Sequence, residues 1–463
     1  MSDDSVAADY YRMGVGEDGS SNGSGFRLDT TANVNYAICD TYPAHLVVPS
    51  AATPQILQVV ANYRSRGRLP VLCWRDASGS GGQLARCAQP LSGLLGKRSH
   101  ADEAYVALFK AGRRFVLFDC RSFAAAQANR FRGGGVEYSP RYGTRSAEYG
   151  ALRNVHYVRR VVLALRGVSR DAPLPFREWR RWLVLQSDLL RAAVRVSRLL
   201  HSGATVLLHC SDGWDRTPQL SALSQLLLDT HYRTVRGLLL LIEKEFLSFG
   251  HRFALRHLLG QPLFLQFLDA VGQLLTQHPG SFGFTSLLLD DLLCIHDGGT
   301  PSGRREPLPT RFPFDCNSDA ERARRRRAAA SSDGADGVPL HWADFFLEDA
   351  DRLATYTNPT YPAGAAAGAA AGAVAAHLLH VDASPLALRM WNLVRTPPPG
   401  APQPKGAAIA VTFAACCPGR SSDLERMILE EEDDDELEGE HTDAASSGAS
   451  VTGNTIGIEL KSA

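Results

Sequence analysis

The run His209-Cys210-Ser211-Asp212-Gly213-Trp214-Asp215-Arg216-Thr217 sets a thiol and a guanidinium six positions apart, with five residues between them. As a thiolate, Cys210 can attack phosphorus directly. The planar fork of Arg216 can hold two equatorial oxygens of a phosphoryl group and offset the charge that develops on them. Lysine has no such fork. Gly213 permits the positive φ or close backbone approach of a tight anion-binding loop. The hydroxyls of Ser211 and Thr217 can help expel the thiolate in a second step. A leaving alkoxide needs a proton, and Asp215 and Asp212 are the candidate donors, with Asp215 preferred. Repulsion from a bound phosphate favours the protonated form of one of them. The competing role for either carboxylate is a helix N-cap.

Spacing alone is weak evidence, because Cys316 and Arg322 repeat it. Context separates the two. Cys210 follows the apolar run Thr205 to Leu208, and Arg216 opens a segment in which Leu220, Leu223 and Leu227 share one helical face. Strand, loop and helix in that order aim backbone N–H groups at a single point, where they bind an anion and favour a thiolate. The Cys316 segment has no glycine, no preceding apolar strand and an Arg-rich stretch after it. For Cys210 itself, the alternative is a buried inert thiol at a strand end.

The elements that must carry this loop are legible as short β-type runs at Leu46 to Val48, Pro70 to Trp74, Phe115 to Asp119 and Thr205 to His209. Helical segments separate them, and helical periodicity continues after the cysteine loop, through Val235 to Phe249. The pattern predicts an α/β fold in which a central mixed sheet is flanked by helices. One continuous domain is expected from residue 9 to 395, with an exposed Arg/Ala-rich insertion near 322–338. Residues 1–8 are expected to be disordered, and so is the Pro-rich, then acidic tail at 396–463, which has too little apolar surface to offset ordering entropy.

Composition bounds the rest. A 44% apolar and 21% charged chain can bury a sizeable core. No run of about 20 strongly apolar residues suggests a membrane span, and the acidic start is unlike a signal peptide. The Ala/Gly stretch 363–376 reads as a linker. Nine scattered cysteines without a CxxC pair point to reduced thiols in a cytoplasmic protein, with no metal site and no cofactor. A net charge of zero conceals the acidic run Glu430 to Glu436; without it and its extension the body carries roughly ten positive charges. Such a body suits phosphates or acidic lipid surfaces, whereas a nucleic-acid role would rest on the cluster Arg322 to Arg327 alone.

The nonapeptide His209 to Thr217 resembles the phosphate loop of the myotubularin family of phosphoinositide phosphatases, whose members carry the same residues. Downstream, Asp229-Thr230-His231-Tyr232-Arg233-Thr234 and Ile242 to Arg252 are similar to family signatures. So are Tyr11-Arg12-Met13-Gly14, Cys39-Asp40-Thr41-Tyr42-Pro43 and Leu69 to Arg75 upstream. The resemblance runs from about Asp9 to Arg395. It implies a protein-tyrosine-phosphatase-like fold and removal of the 3-phosphate from phosphatidylinositol 3-phosphate and phosphatidylinositol 3,5-bisphosphate through a phosphocysteine. It also implies no metal, and peripheral attachment to endosomal or other phosphoinositide-bearing membranes.

Catalytic roles fall on Cys210, Arg216 and Asp215. Substrate contacts fall on Asn129, Asn154, Val155, Ser211, Asp212, Gly213, Trp214 and Arg252. Asn129 and Asn154 could instead serve local turns, and Arg252 could be a helix-end surface charge. Alternatives within the same fold are a protein phosphatase and a catalytically inactive adaptor. Family members often pair as homo- or hetero-oligomers through a C-terminal coiled coil, but no heptad pattern follows the domain here. They also usually carry a lipid-binding domain of the pleckstrin-homology type ahead of the phosphatase, where about eight residues precede the match. The segment Leu258 to Leu263 is shorter and less polar than its family counterpart, which bears on isomer preference.

Overall fold

Five strands form the sheet that carries Cys210: β3 (Val71–Arg75), β4 (Gln83–Ala88), β5 (Phe115–Asp119), β6 (Glu148–Tyr149) and β7 (Thr205–Cys210). Their order is β3-β4-β7-β5-β6. β7 lies between two parallel neighbours, with Ala88 opposite Cys210 on one side and Asp119 opposite His209 on the other. β3 runs antiparallel to β4, with a register shift between Leu72 and Trp74, and makes the sheet mixed. β4, β5 and β7 are buried along their whole length, as expected of parallel strands covered on both faces. A separate hairpin-like pair, β1 (Phe26–Asp29) and β2 (Leu46–Pro49), is antiparallel.

This computed structural model describes residues 3–16, 24–77, 81–110, 112–166, 176–302, 314–318, 320–324, 342–347, 349–362, 378–384 and 388. All of them fall within one compact unit, Met1–Ile409. The expected tail at 396–463 and the Ala/Gly stretch at 363–376 lie outside the described residues. None of the described helices is long and apolar enough to cross a membrane.

The helices are α1 (Asp3–Arg12), α2 (Pro54–Ala61), α3 (His100–Lys110), α4 (Phe123–Ala128), α5 (Val155–Arg166), α6 (Phe176–His201), α7 (Arg216–Leu228), α8 (Val235–Ile242), α9 (Phe253–Leu258), α10 (Leu263–Gln277) and α11 (Ser286–Asp297). α7 packs against α6, α10 and the strand it follows. From Thr217 to Leu228 it is buried on every side, so its sequence shows apolar residues all round and not a single stripe. α8 begins at Thr234, whose side chain caps the Gly237 N–H, and continues as a π-helical turn, Glu243–Ser248.

The structure corrects two expectations of disorder. Residues 3–8 belong to α1 and are held by the turn that follows them: Asp9 accepts from Lys244 at 2.7 Å and Tyr232 at 2.6 Å, and Arg12 bonds both Asp9 and Asp229. A short polar segment orders here because its charges meet buried partners far along the chain, which local composition cannot reveal. Likewise, the insertion does not begin at Arg322. That side chain is buried and pairs with Glu243 at 2.8 Å; residues 325–338 lie outside the described residues.

Candidate active site

The loop after β7 turns sharply at Gly213, whose φ is +76° and whose Cα lies so close to β4 that a Cβ would stand 2.4 Å from the Cys87 carbonyl oxygen. Only glycine meets both demands. The turn brings the Gly213 N–H to 3.2 Å from Cys210 Sγ, so the sulfur accepts a hydrogen bond from its own loop. Arg216 then starts α7. Its Nη1 donates to the Leu152 carbonyl at 3.3 Å, and its buried Nε has no hydrogen-bond partner among the described residues. Cys210, the Gly213 N–H and the start of α7 at Arg216 thus fall within one strand–turn–helix junction, a combination suited to a tetrahedral oxyanion.

A set of buried side chains fixes the loop from behind. Gly213 O accepts from Arg68 at 3.0 Å and from Arg86 at 2.8 Å. Arg68 also donates to the Thr41 and Phe249 carbonyls, and Arg86 pairs with Glu245 at 2.6 Å. The segments Cys39 to Pro43 and Ile242 to Arg252 therefore meet the loop through these two arginines. Gln89 N donates to Ser211 O at 2.9 Å, and His251 Nδ1 donates to Trp214 O at 2.7 Å.

Below Cys210, His209 Nε2 lies 3.1 Å from Glu137, which bonds Arg64, which in turn holds Asp102 at 2.6 Å. Burial opposes charge on His209, but the Glu137 and Asp119 carboxylates outweigh it and raise the imidazole pKa above its ordinary value. Burial likewise opposes charge on Glu137, yet His209 and Arg64 hold it well below the carboxylate range.

The two loop carboxyls sit in unlike surroundings. Asp212 is half-buried and accepts from Ser65 Oγ at 2.6 Å. Asp215 is buried, makes no N-cap hydrogen bond, and is bound by Arg256 at 2.6 and 3.0 Å with His251 at 3.3 Å. Burial alone would raise the Asp215 pKa, but Arg256 and His251 reverse the sign and drive it far below normal. The ion pair with Arg256 describes Asp215 before any phosphate is bound. In the free protein its surroundings favour the carboxylate.

The other expected residues are placed unequally. Trp214 is buried, and Arg252 stacks over its ring with the guanidinium carbon 4.9 Å from the centroid, so Arg252 belongs to the loop's neighbourhood. Asn154 accepts from Tyr157 N at 2.9 Å and caps α5, whose first residue is Val155; this junction lies just after Leu152, which touches Arg216. Asn129 donates to Ala125 O at 3.0 Å at the end of α4, the local role expected as its alternative. The Thr217 hydroxyl faces Cys120 Sγ at 4.0 Å.

Sequence reading missed Arg68, Arg86, Glu137, His251 and Arg256 as supports. Arg86 had a usable signal: a charge enclosed by Leu84, Ala85, Cys87 and Ala88 must be buried and paired. Glu137 had none, being 72 residues from His209. As for metals, among the described residues His257, His296 and Asp297 offer ligand atoms within 4.8 Å of one another, and His296 already bonds Asp297 at 2.7 Å.

Comparison with known proteins agrees with this arrangement. Residues 2–296 match the family described as the myotubularin-like phosphatase domain. The phosphatidylinositol-3,5-bisphosphate 3-phosphatase MTMR2 of Bos taurus is 34% identical over 412 residues, covering 83% of this chain and 57% of the relative. Myotubularin of Xenopus laevis is 37% identical over 357 residues (72% and 55%), and that of Rattus norvegicus 40% over 284 (56% and 46%). The chain spans about half the length of these relatives. With a match across more than half its length and the loop, its arginine supports and the flanking signatures converging on one point, this chain belongs to the family of myotubularin-like phosphatase domains.

Proposed function

We propose that this chain removes the 3-phosphate of phosphatidylinositol 3-phosphate and phosphatidylinositol 3,5-bisphosphate through a phosphocysteine, acting at the cytosolic face of endosomal or other membranes that carry these lipids. The observation that carries the reading is the coexistence in one loop of Cys210, with Sγ held by the Gly213 N–H, and Arg216, with a buried Nε unpartnered among the described residues. The relatives named as 3-phosphatases support the substrate class.

In this mechanism Cys210 Sγ attacks phosphorus as the bond to the inositol oxygen breaks, and Arg216 holds the equatorial oxygens. Because Arg256 engages Asp215, we assign the proton for the leaving oxygen to Asp212, and Asp215 the work of positioning the loop. Water then attacks the phosphocysteine, its proton passes to the same carboxylate, and the thiolate departs with a hydrogen bond from Ser211. Arg252, held against Trp214, supplies a second cation for a further headgroup phosphate, while Asn129, Asn154 and Val155 face the ring hydroxyls.

The test is phosphate release from soluble short-chain phosphatidylinositol monophosphates beside a phosphotyrosyl peptide. Preference for the 3-isomer is expected, lost in Cys210→Ser. Preference for the peptide would establish a protein phosphatase, and no release an inactive adaptor. Loss of the alkaline limb of the pH profile in Asp212→Asn identifies the acid; the same loss in Asp215→Asn alone would return the role to Asp215.

A further inference from the structure

Among the described residues, eleven large apolar side chains are conspicuously exposed, and six of them, Leu91, Leu94, Leu95, Phe123, Phe131 and Tyr138, come from just two segments. Leu95 is 99% exposed and Phe131 74%, values that leave these side chains with almost no protein contact. Water disfavours such surface, so a cluster of it marks a place where something else covers it.

The two segments are built into one platform. Gly93 N donates to Gly134 O at 2.8 Å, Arg130 reaches the Gly93 and Leu94 carbonyls at 3.3 and 3.1 Å, and Tyr63 holds the Lys97 carbonyl at 2.6 Å. A cavity of about 380 Å³ opens between them, bordered by Lys97, Arg98, Arg130 and Arg141. Of the cations at the cavity's edge Lys97, Arg98 and Arg141 are exposed, and Arg132, also exposed, follows Phe131 in the chain. Two acids also line the cavity. Glu137 is buried on Arg64 and His209, and Glu103 is occupied by Arg98 at 2.7 Å. The platform also adjoins the phosphate loop directly: Gln89, whose N–H holds Ser211 O, bonds Gly135 N at 3.1 Å through its side chain.

We infer that this platform, with Leu94, Leu95 and Phe131 as its apolar tip and Lys97, Arg132 and Arg141 as its cationic collar, inserts into the interface of an anionic lipid membrane beside the mouth of the active site. Apolar side chains enter the acyl boundary while the cations meet anionic headgroups, the combination that holds a peripheral surface on a bilayer. A soluble protein partner of opposite charge would match the collar but leave a fully exposed leucine without purpose. Seating the platform would turn the Cys210 loop toward the headgroup layer. The inference rests on the phosphoinositide reading for its biological sense, but the binding can be measured apart from it.

The full chain, wild type and Leu95→Ser/Phe131→Ser, is sedimented with phosphatidylcholine vesicles with and without phosphatidylserine, at low and high salt, and assayed on soluble short-chain phosphatidylinositol 3-phosphate. Both sites are exposed and outside the catalytic machinery, so folding and soluble turnover are expected to stay unchanged while vesicle affinity falls about tenfold or more. Arg132→Glu is expected to lose affinity only for the anionic vesicles and mainly at low salt. Equal vesicle binding by wild type and the double variant would overturn the inference, as would a wild-type dimer that the double variant dissolves, which would assign the platform to a second copy. Failure of wild type on the soluble lipid sinks the functional reading instead and leaves the vesicle result to be judged alone.

Discussion

Cys210 and Arg216 straddle the junction of β7 and α7, whereas Cys316 lies in a turn and Arg322 in a short helical stretch packed on the π-helical turn. Both cysteines are buried and both arginines lie six positions on. What differs is what the backbone and the guanidinium do. Gly213 aims an N–H at Cys210 Sγ, and Arg216 bonds the Leu152 carbonyl, with no carboxylate partner among the described residues. Arg322 instead pairs with the buried Glu243, which also accepts from Trp342 at 2.7 Å. One arginine is held ready for a ligand's charge; the other answers a charge inside the core. Spacing cannot distinguish these roles, but the identity of the partner does.

The largest expected contrast is between the two cysteines. Cys210→Ser should lower phosphate release by at least about a thousandfold, since the nucleophile is lost, while Cys316→Ser leaves the rate as it was. Equal loss in both would break the comparison. The arginines should divide differently. Arg322→Ala strands Glu243 in the interior and is expected to cost about 3 kcal/mol in urea unfolding with little change in kcat. Arg216→Ala should abolish turnover and leave the unfolding midpoint close to wild type.

Asp215 sharpens the point because it carries a core-type ion pair inside the catalytic loop. Its folded pKa is depressed, so the stability it contributes is complete above the ordinary carboxylate range and lost only as pH falls through that lower value. In Arg256→Gln, burial dominates and the folded pKa moves up, so stability is lost as pH rises. The gap between wild type and variant is therefore expected to be about 3 kcal/mol at neutral pH and to shrink toward about pH 4, where the carboxyl takes a proton. A gap independent of pH would mean Asp215 is not the group responsible. The smallest effect is expected from Gly213→Ala, about 2 kcal/mol of destabilisation from positive φ and the Cys87 contact, accompanied by a slower rate. Substitution without cost would show that the loop does not need this approach to β4.

Several elements were legible before any coordinates. The apolar runs at Phe115 to Asp119 and Thr205 to His209 are β5 and β7 nearly residue for residue, because strands covered on both faces must be apolar throughout. β4 was not legible. Its sequence Gln83-Leu84-Ala85-Arg86-Cys87-Ala88 shows neither alternation nor a continuous apolar run, and its arginine is tolerated only because Glu245 and Gly213 O lie opposite. The N-terminal helix was hidden for the same reason, its anchor being Lys244, 235 residues away from Asp9.

By itself the sequence determined the reactive set, Cys210, Gly213 and Arg216, and the strand, loop and helix order that assembles them, since these depend on neighbours along the chain and on backbone geometry. Tertiary structure alone decided which carboxyl is held ionised, which arginines brace the loop, and which apolar side chains are left facing water. Charge state and exposure are set by what lies within a few ångströms in space, and Arg256, Glu137 and the platform around Leu95 reach their places only when distant segments fold together.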